Sequence, residues 1–580
     1  MLDPHYAAVL QAAVKARFGR TNWMEMWQEL AELFLPQRGD FTTKLMDGDR
    51  RDDGLFSSEP QLAARGLASA VSAMLRPPGK RWFKATLKNP QLMALESAQQ
   101  WLYLVTDLTY QHLYDPRVNT EKALSEVDID LVVFGTGVAS VDWNVADKHL
   151  VIKSRSLANT ALVAGRDGKI VGGYIFTQPT LRQIIDEFGE DKLTEKMREA
   201  KRGSNSPDLE RTFEIVQCIL PNEDWNTFQA GKAGRFPYKS AWISVDCKEL
   251  IDERGFNEFN LVCPRWDTLT GEVYARSPAM VALPDARVVM AMSKTLMEAG
   301  EYALRPPTYS FADMIQGDIE LWPGGHTIVD MSNFQGTGEP IKSLQAGAIP
   351  EGIYKFYQDK VQSMAAAFFR DILELPAARD ADMTATEINA RYDQYLRQAA
   401  PIFNRLLDAY NAALMNRAFS ILQREKVFPP PPPELKGQEV EFEYESPIKT
   451  AREKAEAMKV IEGLQMILPL AEAYPDILDN YDPDAIARFT GVKADLPPAI
   501  FRPIEQMMQM REAREQEMQA MKAAELAKTA APAMAASGGM LKAVGDAKTA
   551  GLLESDQALS PELGGADPLG ALEGIYEEVA

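Results

Sequence analysis

Cysteine and histidine are the scarcest chemistry-bearing residues of this chain, three of the first and four of the second among 580. Cys218, Cys247 and Cys263 lie far apart and form no CxxC pair. They read as reduced thiols of a protein made in the cytoplasm, and their spacing argues against a zinc site. His5, His112, His149 and His326 are scattered, with neither HExxH nor an i,i+4 pair, so the usual metal-ligand pattern is missing. No phosphate-cradling GxxxxGK[ST] loop exists: Gly79-Lys80 lacks the earlier glycine, and Gly231-Lys232 is followed by alanine. No GxSxG elbow occurs. Gly135-Thr136-Gly137 lacks the third glycine of a dinucleotide fingerprint and reads as a strand bend. No apolar run reaches eighteen residues, which excludes a helical membrane span by length. The first twenty residues lack the order of charge, apolar core and small-residue cleavage site that marks a signal peptide. Carboxylates are plentiful, but none sits in a context that singles it out, and Asp380 and Asp382 read as solvated loop residues. The chain is read as a non-enzyme with no catalytic residue, metal or cofactor.

What is present is acid and helix. Hydrophobic residues make up 46% and charged residues 25%, ordinary values for a globular chain able to bury a core. The formal charge is −21 and the pI near 4.9. A protein that grips nucleic acid by its phosphates carries a basic face, so either nucleic acid is irrelevant here or it passes without sticking.

The expected fold class is α+β, predominantly helical. Ala7 to Phe18 and Thr21 to Leu35 read as helices, the second capped by Thr21 or Asn22, carrying Trp23, Trp27, Leu30, Leu33 and Phe34 on one side, and stopped by Pro36. Glu59 to Leu75 is a small-residue helix ended by Arg76-Pro77-Pro78-Gly79, with Trp82-Phe83 after it. Further helices are expected at about 94–115 and 120–127. From Leu131 the period shifts towards two. Leu131 to Trp143 reads as a strand with a glycine bend, Leu150 to Ile152 and Ile170 to Phe176 as strands, and Asp167-Gly168 as a hairpin turn. Thr180 to Glu187 begins a helix, and Phe213 to Leu220, Lys239 to Cys247 and Leu261 to Val262 continue mostly antiparallel strands.

The chain is organised around 350–426. A helix is expected to start at Pro284 and run to Leu304; a second, Ile353 to Leu373, carries Ile353, Phe356, Tyr357, Val361, Met364, Phe368 and Ile372 as one apolar stripe. Between them lies a glycine- and proline-rich module, 305–349, placed as a tip on a two-helix stalk. After a break at 375–383, Thr384 and Glu387 have capping-box spacing. A stripe then runs through Tyr392, Leu396, Ile402, Phe403, Leu406, Tyr410, Leu414 and Leu422. Such a helix would be roughly 60 Å long, with a kink expected at Pro401. Helices of that length need neighbours that one chain does not supply, which suggests a ring or bundle of subunits. Pro429 to Pro433 reads as a stiff linker, and Val440 to Tyr444 as a strand with one wet face. Helices follow at about 448–473, 482–489 and 504–528, ahead of an acidic tail, 529–580, read as disordered.

Several segments, in one order, resemble the head-to-tail connector, or portal, proteins of short-tailed, T7-like bacteriophages. They are Leu35-Pro36-Gln37-Arg38; Ala63-Ala64-Arg65-Gly66-Leu67-Ala68-Ser69 with Arg76-Pro77-Pro78-Gly79 and Trp82-Phe83; and Val133-Phe134-Gly135-Thr136-Gly137. Tyr274-Ala275-Arg276-Ser277-Pro278 (alanine and serine replacing two glycines), Ala282-Leu283-Pro284-Asp285 and Met383-Thr384-Ala385-Thr386-Glu387-Ile388 follow.

The resemblance implies a portal fold of wing, stem, clip and crown, assembled as a ring, most often of twelve, around a DNA channel at one capsid vertex. Residues 1–280 with 384–426 would be wing, 284–304 and 350–374 stem, 305–349 clip, and 375–383 a tunnel loop. Residues 427–500 would be wing and crown, and 501–528 the crown helix. The loop would bring Pro376, Ala377, Ala378, Arg379, Asp380, Ala381 and Asp382 to the lumen, with Arg379, Arg370 and Lys360 as possible DNA contacts. The clip, with Arg305, Pro306, Pro307, Asp313, Asp318, Glu320, His326 and Asp330, would dock the terminase large subunit and then a tail adaptor. Further implied partners are copies of itself, double-stranded DNA, and the major capsid and scaffolding proteins. The implied location is the virion, after assembly in the bacterial cytoplasm. Acidic balance suits such a channel, because a row of phosphate contacts would brake sliding duplex. The alternatives are an α-rich capsid scaffold without a DNA channel, and an enzyme with an unrecognised carboxylate site.

Overall fold

The computed structural model describes residues 4–44, 46, 48–49, 54–93, 95–202, 208–222, 236–304, 308–310, 341–343, 351–370, 403–445, 456–467, 469, 474, 480–493, 502 and 506–522. Two compact units divide the chain, Met1–Leu496 and Pro497–Ala580. In the second, the described residues are Arg502 and one helix, 506–522, whose side chains are almost all exposed.

In the first unit, α1 (Pro4–Phe18) and α2 (Thr21–Phe34) open the chain. Neither Thr21 nor Asn22 caps α2. The preceding residue is Arg20, and Thr21 donates its hydroxyl proton to the Phe18 carbonyl at 2.8 Å. Arg20 itself is buried, donating to the carbonyls of Leu157, Ala158 and Thr160 at 2.7, 2.8 and 2.6 Å. A guanidinium thereby ties the helical N-terminus to a strand-entry loop.

The segment α3 (Glu59–Leu75) leads to β1 (Phe83–Leu87), α4 (Pro90–Met93), α5 (Glu96–Leu113) and α6 (Thr120–Phe134). Here the sequence reading needs correction. Leu131 to Phe134 are the end of α6, not a strand. All four are buried, and a run buried on every side has no period to distinguish helix from strand. Gly135, at φ +80°, ends the helix in the left-handed region, and the strand β2 (Ala139–Asn144) starts only after it. It pairs antiparallel with β3 (His149–Ser154) and with β9 (Leu261–Val262).

A five-stranded antiparallel sheet runs in order β4 (Thr160–Ala164), β5 (Ile170–Thr177), β6 (Ile215–Pro221), β7 (Tyr238–Ser244), β8 (Glu249–Phe256). One face packs Ala161, Tyr174, Phe176, Val216, Cys218 and Ala241 against α1. The other face packs Ile215, Trp242 and Ile251 against α7 (Leu181–Phe188) and α8 (Glu195–Arg202). Thr180 and Gln183 form the capping box of α7 at 3.4 and 3.1 Å.

The stalk pair is α9 (Pro278–Leu304) and α10 (Glu351–Ala367). α9 starts six residues before the expected Pro284. Ser277 accepts from the Met280 amide at 3.0 Å and donates to the Val133 carbonyl at 2.8 Å, capping a helix whose first residue is Pro278. Pro284 then lies inside the helix, which survives the lost backbone bond because Ala279, Ala282, Leu283 and Ala286 are buried around it. α10 stops short of the expected Leu373. Phe368 and Phe369 form a turn, Phe369 at φ +56°, with Phe368 packed on Phe34 at 5.5 Å and Phe369 on Trp266 at 6.2 Å.

Beyond the described gap, 403–406 is helical, Leu407–Asn411 is a π-turn, and α11 (Ala412–Arg424) continues the same helix. Finally β12 (Val440–Tyr444) pairs antiparallel with β1, Phe83 opposite Tyr444. Among the described residues, no helix is long and apolar enough to cross a membrane. Residues 375–383, expected from the resemblance to be a tunnel loop, Pro401 with its expected kink, and the tail 529–580 lie outside the described residues.

Candidate functional site

α9 and α10 run side by side in opposite directions: Lys360 Nζ meets Asp285 Oδ1 at 2.9 Å, and Ser293 Oγ lies 3.4 Å from the Tyr357 hydroxyl. The base of the pair is rooted in the core. On α9, burial stops at Ser293; on α10, only Met364 and Ala365 are buried. The outer halves leave Met297, Tyr302 and Leu304 exposed by 57, 56 and 86%, and Ile353, Tyr354 and Phe356 by 41, 58 and 49%. Large apolar side chains are thus gathered in water on a two-helix projection, the kind of patch that interaction surfaces present. Arg287 grips Glu29 at 2.6 Å and fixes α9 to α2.

Where the stalk ends, β10 (Thr308–Ser310) pairs with β11 (Ile341–Ser343), Thr308 opposite Ser343. The interposed module therefore leaves and rejoins the stalk as a two-stranded ribbon. Its expected contact residues, Arg305, Pro306, Pro307, Asp313, Asp318, Glu320, His326 and Asp330, lie outside the described residues, as do Pro376 to Asp382 with Arg379. Of the three cations expected from the resemblance at the lumen, Arg370 is exposed and Lys360 is the half-buried partner of Asp285.

Beneath the stalk sits a buried polar lock that sequence reasoning missed. Arg76, the residue after α3, pairs with Asp128 of α6, both nearly inaccessible. Burial opposes the Arg76 charge, but Asp128 more than compensates and holds it protonated. Burial pushes the Asp128 carboxyl up against the pull of Arg76. The guanidinium stacks 4.7 Å from the Tyr410 ring, and Asn411 donates to the Leu75 carbonyl at 3.0 Å. One turn later in the chain, Trp82 donates to the Tyr114 hydroxyl at 2.8 Å. The end of α3 and α6 are thus tied to the helical stretch that carries Tyr410 and Asn411. A nearby pair is weaker: Arg38 reaches Glu126 at 3.0 Å but buried Asp130 only at 3.5 Å. Burial, only partly offset by Arg38, raises the Asp130 carboxyl to about 7.

Two of the quoted motifs meet in space. A Cβ on Gly135 would fall 2.3 Å from the Ala275 carbonyl oxygen, and one on Gly137 2.7 Å from Val127. Thr136 accepts from the Ala275 amide at 3.1 Å, and Tyr274 stacks edge-on against Trp27 at 4.9 Å. Gly135 is therefore a contact surface for 274–277 and Gly137 one for α6, and the 274–277 segment in turn sets where α9 leaves the core. The thiol of Cys218 is buried, that of Cys263 is pushed up to about 12 by burial, and all three cysteines are free. Among the described residues, no three His, Cys, Asp or Glu side chains gather to hold a metal ion.

Residues 7–501 match the family of the bacteriophage head to tail connecting protein. The chain is 27% identical to the probable portal protein of Bordetella phage BPP-1, covering 83% of this chain and 85% of that one. It is 24% identical to the portal protein of Salmonella phage epsilon15, covering 87% and 90%. A chain in a solved virion of a native gene transfer agent (GTA) particle aligns with a TM-score of 0.35 at 13% identity, over 79% of this chain and 96% of that one; that likeness bears no weight on the fold. On the match from residue 7 to residue 501, the chain belongs to the bacteriophage head to tail connecting protein family.

Proposed function

We propose that this chain is a phage portal subunit, a structural component of the virion without catalytic activity. Copies form a ring, most simply of twelve, at one capsid vertex, and double-stranded DNA is packaged and ejected through it. The observation that carries the reading is the α9–α10 projection, rooted in a packed core yet bearing uncovered Met297, Tyr302, Leu304, Ile353, Tyr354 and Phe356. Within a ring those side chains meet the adjacent stalk. The module between β10 and β11 is the clip, docking the terminase large subunit and later the tail adaptor. Residues 375–383 are the tunnel loop, and Arg379 above all, with Arg370 or Lys360, touches the phosphate backbone without regard to sequence. A charge of −21 per chain supports passage rather than grip. Capsid and scaffolding proteins surround the ring during assembly in the host cytoplasm.

Negative-stain microscopy of the purified chain tests this. Rings with a hole wide enough for duplex are expected; solid particles or a stable monomer at high concentration would overturn it. Deleting 376–382 is expected to leave rings intact and impair DNA packaging or retention, and normal packaging would remove the tunnel-loop assignment.

A further inference from the structure

Pro429 to Pro433 reads from sequence as a stiff linker, yet there is no gap for it to span. α11 before it and β12 after it already meet, Phe419 against Phe442 at 5.4 Å, and both pack in one apolar cluster with α5 and β1. The run is laid along that cluster and fastened at both ends. Trp101 of α5 donates its indole N–H to the Pro429 carbonyl at 3.1 Å, and Phe428 stacks on Phe419 at 5.2 Å. At the far end Leu435 is buried, and its amide donates to the Pro432 carbonyl at 3.0 Å. Each proline that precedes another is kept out of the α region, and Pro432, at φ −51° and ψ 153°, has polyproline II geometry. That helix repeats every three residues. Pro429 and Pro432 share one edge, and both are half-buried. Pro430 and Pro433 share the second edge, about 9 Å apart, and Pro431 lies on the third. All three are exposed. Glu434, next in the chain, is exposed and has no ion-pair partner among the described residues.

We propose that Pro429–Pro433 is a preformed polyproline ligand, displayed for a partner protein that carries a groove of aromatic side chains with a cation at its rim. A segment already held as polyproline II has little conformational freedom left to lose on binding. Prolines also present carbonyls without any N–H to desolvate. Pro430 and Pro433 seat between the partner's rings, and indole or hydroxyl donors of the groove reach the carbonyls between them. Trp101 already reads the inner edge in this manner, ring beside proline and indole N–H on a carbonyl. The unpaired Glu434 carboxylate, beside Pro433, selects the cation. The ridge stands on one subunit and needs no ring of copies.

Calorimetric titration of the full-length chain tests it, with purified SH3, WW and EVH1 domains as stand-ins for the groove. A free peptide spanning 427–436 is titrated with the same domains. At least one domain is expected to bind the chain within about tenfold of its affinity for the peptide, and excess peptide is expected to displace it. Pro430→Ala with Pro433→Ala should weaken that binding by about tenfold or more, with the unfolding midpoint unchanged because Trp101, Phe428 and Leu435 keep their contacts. Glu434→Lys should weaken it by about threefold at low salt and not at high salt. The proposal is overturned if no domain binds the chain, or if the double alanine variant binds as well as the unaltered chain. Should that variant fold poorly, displacement by the peptide decides on the unaltered chain. Binding that the peptide does not displace lies elsewhere on the surface and overturns the assignment.

Discussion

The lock around Arg76 and the outer stalk of α9 and α10 are opposites. In the first, an ion pair, a cation–ring contact and an amide–carbonyl bond are gathered out of contact with water. In the second, two helices hold each other through Lys360 and Asp285 while their apolar side chains stay in water. The first region is determined by this chain alone. In the proposed portal reading the second is half of an interface, its exposed residues covered by a neighbouring copy. A substitution in the lock should therefore be felt in the stability of the subunit, and a substitution in the stalk in its association.

The sharpest way to break that contrast is Arg76→Leu. It strands the Asp128 carboxyl in the core, and removing one partner of a buried pair costs about 3–5 kcal/mol; denaturant unfolding of the purified chain measures it. Gly135→Ala should cost about 1–3 kcal/mol by the same measurement, through a clash with the Ala275 carbonyl and a left-handed backbone.

Asp130 offers a pH axis within the same core. In the folded chain burial keeps its proton on up to about pH 7, against an ordinary 3.8. The folded state then binds more protons than the unfolded one between those values, so stability falls as pH rises from about 4 to about 7 and is level above. Asp130→Asn should remove that slope, adding about 1–3 kcal/mol at pH 8 and nothing below pH 4. The smallest stability effect is expected on the stalk. Tyr302→Ser with Phe356→Ser should shift stability by less than about 0.5 kcal/mol, yet lower the fraction of rings seen by light scattering and microscopy. Equal damage in both readouts would erase the distinction between the two regions.

The second stalk helix was legible in sequence because it carries a clear 3.6-residue stripe, the first through the prolines that flank it, though its start was placed six residues late; α3 was read at its observed bounds because Arg76-Pro77-Pro78-Gly79 ends it. What could not be read has physical reasons. The end of α6 is buried all round and looks like a strand. β4 and β8 were missed, and β8 carries Glu249, Asp252, Glu253 and Arg254, a charged segment made a strand by pairing with β7. The Arg76–Asp128 pair joins residues 52 positions apart, and nothing in either local context announces the other. A π-turn in a segment of perfect helical spacing leaves no mark in the sequence at all. The signal that could have found the lock was the charge itself: an arginine and an aspartate set among apolar helix residues have to meet something.

The pairing of β1 with β12 places Thr86 beside Glu441, 355 positions later. At about 5–20 residues per second on the ribosome, the first strand emerges roughly 20 to 70 seconds before its partner exists. Throughout that interval α5 can cover Ala85 and Leu87 through Ala98, Leu102 and Val105, but the edge of β1 that β12 will pair has no strand to close it. Nascent chains of this subunit thus pass through a window in which a chaperone, or a completed neighbour's strand, competes for a place that only the chain's own late segment should fill.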